Sequence, residues 1–195
     1  MARPREFEID EALDKAMDAF WSKGYEATSM ADLTEAMGLK KGSIYTAFGD
    51  KHSLFIDALT KYTDTTYAHF KTIFAEAKTP YEGMRIFLTD ALVDYATGGK
   101  KRKGCFATNT LVELGPHDSE VNNILKRQYE RIEKLLEAEI KKGQEAGEFR
   151  KDISEQDLAT EVSVMMSGIM ADCKSGNCVS RTQKAAETFL KTITT

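Results

Sequence analysis

The residues best equipped for chemistry in this chain form a short run, Lys40-Lys41-Gly42-Ser43-Ile44-Tyr45-Thr46, followed by Lys51. Their types suit the binding of a nucleic-acid backbone. Lys40 and Lys41 fall at the expected start of a helix, where the dipole is positive and a cation costs a few tenths of a kcal/mol. A phosphate lying there turns that cost into attraction, and the unpaired backbone N–H groups add hydrogen bonds. Gly42 lets the backbone approach closely, Ser43 and Thr46 offer hydroxyls to bases or phosphates, and the Tyr45 phenol reaches a phosphate oxygen. Lys51, in the first turn of the next helix, repeats the anomaly. Arg3 and Arg5 add a short basic arm suited to a neighbouring groove.

Positioning these groups requires two short helices around a tight turn. Ile9, Leu13, Ala16, Met17 and Phe20 share one face of a first helix that ends near Gly24. Ser29 with Asp32 approximates a capping box for a second helix ending near Met37, and Gly38 supplies the turn. A third helix over Lys41 to Phe48 keeps Ile44 and Phe48 on its apolar side, and Gly49-Asp50 breaks and recaps the chain for a long helix to about Glu76. Thr79-Pro80-Tyr81-Glu82 opens a helix to about Ala96, Phe106 to Leu114 makes a shorter one, and Val121 to Gly147 a long amphipathic one. Two more helices begin near Ser154 and Ser180. The predicted fold is all-α: an N-terminal three-helix helix-turn-helix domain over residues 1–55, then a helical domain over residues 56–195.

Residues 8–55 resemble the DNA-binding region of the TetR family of bacterial transcriptional regulators. The resemblance rests on Ala12-Leu13, Phe20-Trp21, Gly24-Tyr25, Thr28-Ser29, Gly38-Leu39, Lys41-Gly42-Ser43-Ile44-Tyr45, Phe48 and Lys51. It implies that Thr28, Lys41, Ser43, Tyr45, Thr46 and Lys51 match DNA-contacting positions. It also implies an effector-binding and dimerisation domain from about residue 56. The last two helices, about 154–173 and 180–194, are amphipathic and form the natural homodimer surface, with packing into the chain's own core as the alternative. Two positions depart from the pattern. Lys40 stands where members carry a capping Ser or Thr, and Thr34 where alanine is common.

Phe70, Phe74, Met84, Phe87, Leu88, Tyr95, Phe106 and Met166 are candidates to line an apolar effector cavity, with Asn109, Tyr129 and His69 as polar groups. The same spacing also fits a packed core. Cys105 follows Lys100-Lys101-Arg102-Lys103-Gly104 and opens a helix, a setting that favours a thiolate. The segment from Gly104 to Leu114 resembles a TetR subgroup that includes repressors responding to reactive electrophiles, so Cys105 is a candidate redox or electrophile sensor; the alternative is an inert, half-buried thiol.

Composition narrows the rest. The 195 residues are 42% hydrophobic and 30% charged, with no apolar run long enough for a membrane span, so a cytoplasmic protein is expected. Cys105, Cys173 and Cys178 lack the paired spacing of a zinc site, and neither a metal nor a cofactor is expected. No phosphate-binding glycine loop, nucleophile elbow or metalloprotease motif supports an enzyme. Residues 1–60 carry seven basic against eleven acidic side chains, so bulk charge does not attract DNA and local placement must. That acidic balance keeps a second reading open, a helical interaction protein that does not bind DNA. The first reading is a repressor dimer on a near-palindromic operator, released by a small molecule, electrophile or oxidant.

Overall fold

The computed structural model describes residues 3–97, 103–175 and 179–195, with side chains over 9–94 in the first stretch. Arg3 and Arg5, expected as a short arm ahead of the first helix, fall within the helix that begins at Arg3; their side chains, the Tyr95 ring, Cys178 and the basic loop up to Arg102 lie outside the described side chains. The helices are α1 (Arg3–Lys23), α2 (Met30–Met37), α3 (Lys41–Phe48), α4 (Lys51–Glu76), α5 (Pro80–Ile86), α6 (Leu92–Thr97), α7 (Phe106–Leu114), α8 (Ser119–Ala146), α9 (Glu155–Lys174) and α10 (Val179–Ile193). The fold is all-α as expected, and the extended pairing among the described residues is an isolated antiparallel bridge between Phe149 and Thr194.

Local chemistry sets these boundaries. The Thr79 hydroxyl accepts from the Glu82 amide at 3.1 Å and the Glu82 carboxylate from the Lys78 amide at 2.8 Å, with Pro80 in the first turn of α5. Asp118 caps α8 by accepting from the Glu120 and Val121 amides, each at 3.0 Å. Such caps are each worth about 1 kcal/mol. One interruption was not expected. A π-helical turn at Phe87–Ala91 separates α5 from α6 in what reads as a single helix. The extra residue in that turn loosens the ladder, and the Thr89 carbonyl accepts from Gln183 of α10 at 3.2 Å.

Two apolar clusters organise the packing. One gathers Ala16, Phe20, Leu33, Ile44, Phe48, Leu54, Phe55 and Leu59 from α1–α4, and also Phe106, Leu114, Val121 and Leu125 from α7 and α8. The other gathers Phe70, Phe87, Leu136, Phe149, Val162 and Leu190 among the later helices. α4 runs through both, so the recognition region and the remainder share a rigid axis. Lys61 of α4 pairs with Asp10, at 2.7 Å, and with Asp14 to hold α1 along it.

Two glycines set the angle of α3. Gly38 closes α2 at φ 68° and ψ 23°, the left-handed region that Asn also tolerates. Gly49 follows α3 at φ 81° and ψ −114°, a conformation outside that region and costly for any side chain. Gly38→Asn is therefore expected to cost no more than about 1 kcal/mol, and Gly49→Asn about 1–3 kcal/mol. Urea unfolding of the two variants checks this; equal or reversed costs would refute the turn geometry.

Candidate nucleic-acid interface

α3 is amphipathic in the sense that docking into a groove requires. Ile44 and Phe48 are buried, while Lys41, Gly42, Ser43, Tyr45 and Thr46 face solvent. At 1.5 Å per residue its eight residues span about 12 Å, a match to a major groove about 12 Å wide. Lys40 occupies the N-cap with extended backbone and makes no side-chain capping bond, as its departure from the family pattern predicts. Lys41 lies 5.7 Å from the Tyr45 ring centroid. The Thr46 hydroxyl donates to the Gly42 carbonyl at 2.9 Å, which orients it along the exposed face. A Cβ at Gly42 would meet no atom within 4 Å, so this glycine is not required by packing within the chain.

The scaffold behind α3 is fixed by its own polar bonds. Ser29 accepts from the Asp32 amide at 3.1 Å and the Asp32 carboxylate from the Ser29 amide at 2.8 Å, a complete capping box. Lys23 also reaches Asp32. Hydrogen bonds from Lys23 and Ser29 hold the Asp32 carboxyl far below the usual range. A depressed carboxyl makes its full contribution above its ordinary range and loses it progressively as pH falls from that range through the lowered value. Asp50 caps α4 by accepting from the Ser53 amide at 2.7 Å. Lys51, half-buried in the first turn of α4, rests its ammonium 4.3 Å over the Tyr25 ring.

Thr28 departs from the expected set. It is fully buried, its hydroxyl donating to the Gly24 carbonyl at 2.5 Å and its amide to the Tyr25 carbonyl at 3.2 Å. Its place is in the turn before α2, not on the exposed face. The structure brings Lys40, Lys41, Gly42, Ser43, Tyr45 and Thr46 together, with Lys51 across the following turn.

The expected effector residues behave as core. Phe70, Phe74, Met84, Phe87, Leu88 and Met166 are all buried in one cluster. Phe70 and Phe87 stand edge to face at 4.9 Å and Phe74 lies 5.5 Å from Phe87, so these rings fill space. Phe106 belongs to the other cluster, and exposed His69 stands beside Phe70 with ring centroids 6.2 Å apart. Burial raises the Tyr129 phenol above its ordinary range, with the Thr108 and Ser167 side chains as its hydrogen-bond partners. A cleft of about 970 Å³ opens elsewhere, between α1, α7 and α9, with Trp21, Phe106, Asn109, Glu113, Met170 and Lys174 among its walls. Asn109 joins those walls: its amide donates to the Lys103 carbonyl at 2.9 Å and its oxygen accepts from Lys174 at 2.8 Å. Gln128 of α8 is buried with an Oε1 that has no partner among the described residues.

Cys105 caps α7. Its sulfur accepts from the Tyr62 hydroxyl and from the Thr108 amide, each at 3.4 Å. It is half-buried and packs against both apolar clusters. Lys103, which the sequence places beside it, instead pairs with Asp18 and lies 5.4 Å from the Trp21 ring centroid.

A recognition helix held open by two glycine turns, with cations at its N-terminus, defines a helix-turn-helix DNA-binding protein. Residues 12–58 match the family model for bacterial regulatory proteins of the tetR family, and residues 86–189 match the tetracyclin repressor-like C-terminal domain. The HTH-type transcriptional repressor ComR of Escherichia coli K12 is 32% identical over 97% of this chain and 90% of its own length. BdcR, another HTH-type transcriptional repressor of the same organism, is 27% identical over 98% of this chain and 93% of its own. A cysteine mutant of the TetR family regulator CifR, solved with a 26-bp double-strand operator, superposes with a TM-score of 0.83 at 27% identity, covering 94% of this chain and 95% of that one. The chain belongs to the tetR family of bacterial regulatory proteins and is a DNA-binding transcriptional regulator. Among the described residues, no helix is long and apolar enough to cross a membrane.

Proposed function

We propose that this chain is a cytoplasmic repressor that binds a near-palindromic operator as a homodimer and releases it when Cys105 is alkylated. The observation that carries the reading is the solvent-facing array of Lys41, Ser43, Tyr45 and Thr46 on a helix whose apolar side is locked in place. Lys40, Lys41 and Lys51 hold phosphates, Tyr45 donates to a phosphate oxygen, and Ser43 and Thr46 face the base edges. Division of labour follows the chain, with residues 1–55 on DNA and 56–195 sensing and dimerising. One short helix reads too few base pairs for useful specificity, so a second copy is required. Val164, Gly168 and Ala171 line an exposed, small-residue stripe on α9, and with α10 they form the face for that copy.

The signal proposed is a soft carbon electrophile such as an α,β-unsaturated carbonyl. Cys105 Sγ adds to the β-carbon as the C=C electron pair moves to the carbonyl, and the thiol proton ends on the α-carbon through solvent. No oxidant is consumed. The adduct inserts volume where α7 meets both apolar clusters, and overpacking of that kind costs about 1–3 kcal/mol. A second reading, a non-covalent effector, is favoured by the cleft between α1, α7 and α9.

Lys51→Ala is expected to lower the slope of log affinity against log salt by about 1, and Tyr45→Phe to weaken DNA binding by about 1.5 kcal/mol. Fluorescence anisotropy with a duplex selected from a random-sequence pool measures both; unchanged binding in both variants sinks the assignment of Tyr45 and Lys51 to the DNA-contacting surface. Val164→Glu buries a charge in the proposed helix bundle, so sedimentation is expected to show monomer; an intact dimer moves the interface elsewhere. Cys105→Ser is expected to keep DNA affinity within about twofold and to abolish release by N-ethylmaleimide, since a half-buried hydroxyl replaces the thiol as cap. Full release of that variant eliminates Cys105 and leaves the cleft reading.

A further inference from the structure

Glu113 lies in the last turn of α7, yet its partners are in the segment that joins α1 to α2. The Tyr25 amide donates to Oε2 at 3.1 Å and the Glu26 amide to Oε1 at 2.9 Å. The approach is close: a Cβ at Gly24, whose φ is 87°, would stand 2.8 Å from the carboxylate. A carboxylate at a helix C-terminus faces the negative end of the dipole and is unfavourable on local grounds. Such a violation is expected where a residue serves function. Here two charge-assisted bonds to backbone offset it and fix a loop, not merely a side chain.

That loop leads directly to the DNA-facing groups. The Tyr25 ring carries the Lys51 ammonium at 4.3 Å and packs 4.8 Å from Phe55. The same segment continues into buried Thr28 and the Ser29 cap of α2. α7 in turn is capped by Cys105 and walls the cleft beside Trp21 and Met170. A shift of α7 therefore acts on Tyr25 through bonds that end on Glu113.

We propose that Glu113 is a positioning residue for DNA binding, holding Tyr25, and through its ring Lys51, in the arrangement that meets phosphate. This inference rests on the reading of Lys51 as a phosphate contact.

The test uses the full chain and a fluorescein-labelled duplex that the wild-type protein selects from a random-sequence pool. Glu113→Ala is expected to weaken binding about five- to tenfold, the low end of usual coupling between sites. Glu113→Gln, which keeps the shape but can accept only one of the two amides, is expected to fall between. Hydrogen exchange at the Tyr25 and Glu26 amides should quicken in both variants. The double variant Glu113→Ala/Lys51→Ala should bind no more weakly than Lys51→Ala alone, because the two act on one contact. Losses that multiply independently overturn the inference while leaving the DNA reading intact, as does wild-type affinity in Glu113→Gln with unchanged exchange. If Lys51→Ala binds like wild type, the reading of Lys51 as a phosphate contact fails and the inference falls with it. Should Glu113→Ala not fold, Glu113→Gln decides by exchange and affinity together.

Discussion

Phe55 is the joint on which the molecule turns. Its ring stands edge to face with Phe20 of α1 at 5.0 Å, meets Tyr25 at 4.8 Å and stands edge to face with Phe106 of α7 at 5.7 Å. Tyr62, two turns further along α4, extends the stack to Trp21 at 5.2 Å and to Phe106 at 5.4 Å. Each such pair is worth about 0.5–1.5 kcal/mol beyond the area it buries. Their direction matters more than their sum. They fasten the helix-turn-helix to α7, so the recognition helix cannot be reoriented without repacking rings that belong to both halves.

The same joint explains how an acidic region serves as a DNA reader. The carboxylates of α1 and α2 hold structure together: Asp10 and Asp14 clamp Lys61, Asp18 meets Lys103, and Asp32 closes a capping box and receives Lys23. Asp50 caps α4. Lys41 and Lys51, by contrast, rest over aromatic rings. A cation over a ring face is held with less neutralisation than one against a carboxylate, so it keeps its charge for a phosphate. Net charge counts all of these groups equally and therefore reports little about the surface that α3 presents.

The sequence was legible where a residue type answers a backbone demand. Gly38, Ser29, Asp50, Thr79 and Pro80 each do one job that few residues do, and the helix ends they imply stand where expected. It was less legible where only burial was encoded. Phe70, Phe74, Met84 and Phe87 recur at helical spacing whether they wall a cavity or fill a core, and here they pack on one another. Thr28 reads as a polar contact, but burial turned its hydroxyl onto Gly24. Glu113 has no local signal beyond sitting at the wrong end of its helix, because its partners are more than eighty residues away. The π-turn at Phe87–Ala91 likewise answers to packing against α10 and leaves periodicity nearly intact.

Magnitudes decide whether strain at α7 is enough for regulation. A signal shifts an equilibrium only by its differential free energy for the two states. Specific binding typically exceeds non-specific binding by about 4–10 kcal/mol. One overpacked α7 junction supplies about 1–3 kcal/mol, which in a lone subunit would leave much of that preference standing. The proposed dimer would carry two such junctions against one operator, and so bring about twice that strain to bear on a single binding event. In the proposed homodimer, symmetry would thus serve release as well as recognition. The joint at Phe55 is what makes the arithmetic apply, since strain absorbed by a loose linker would never reach the recognition helix.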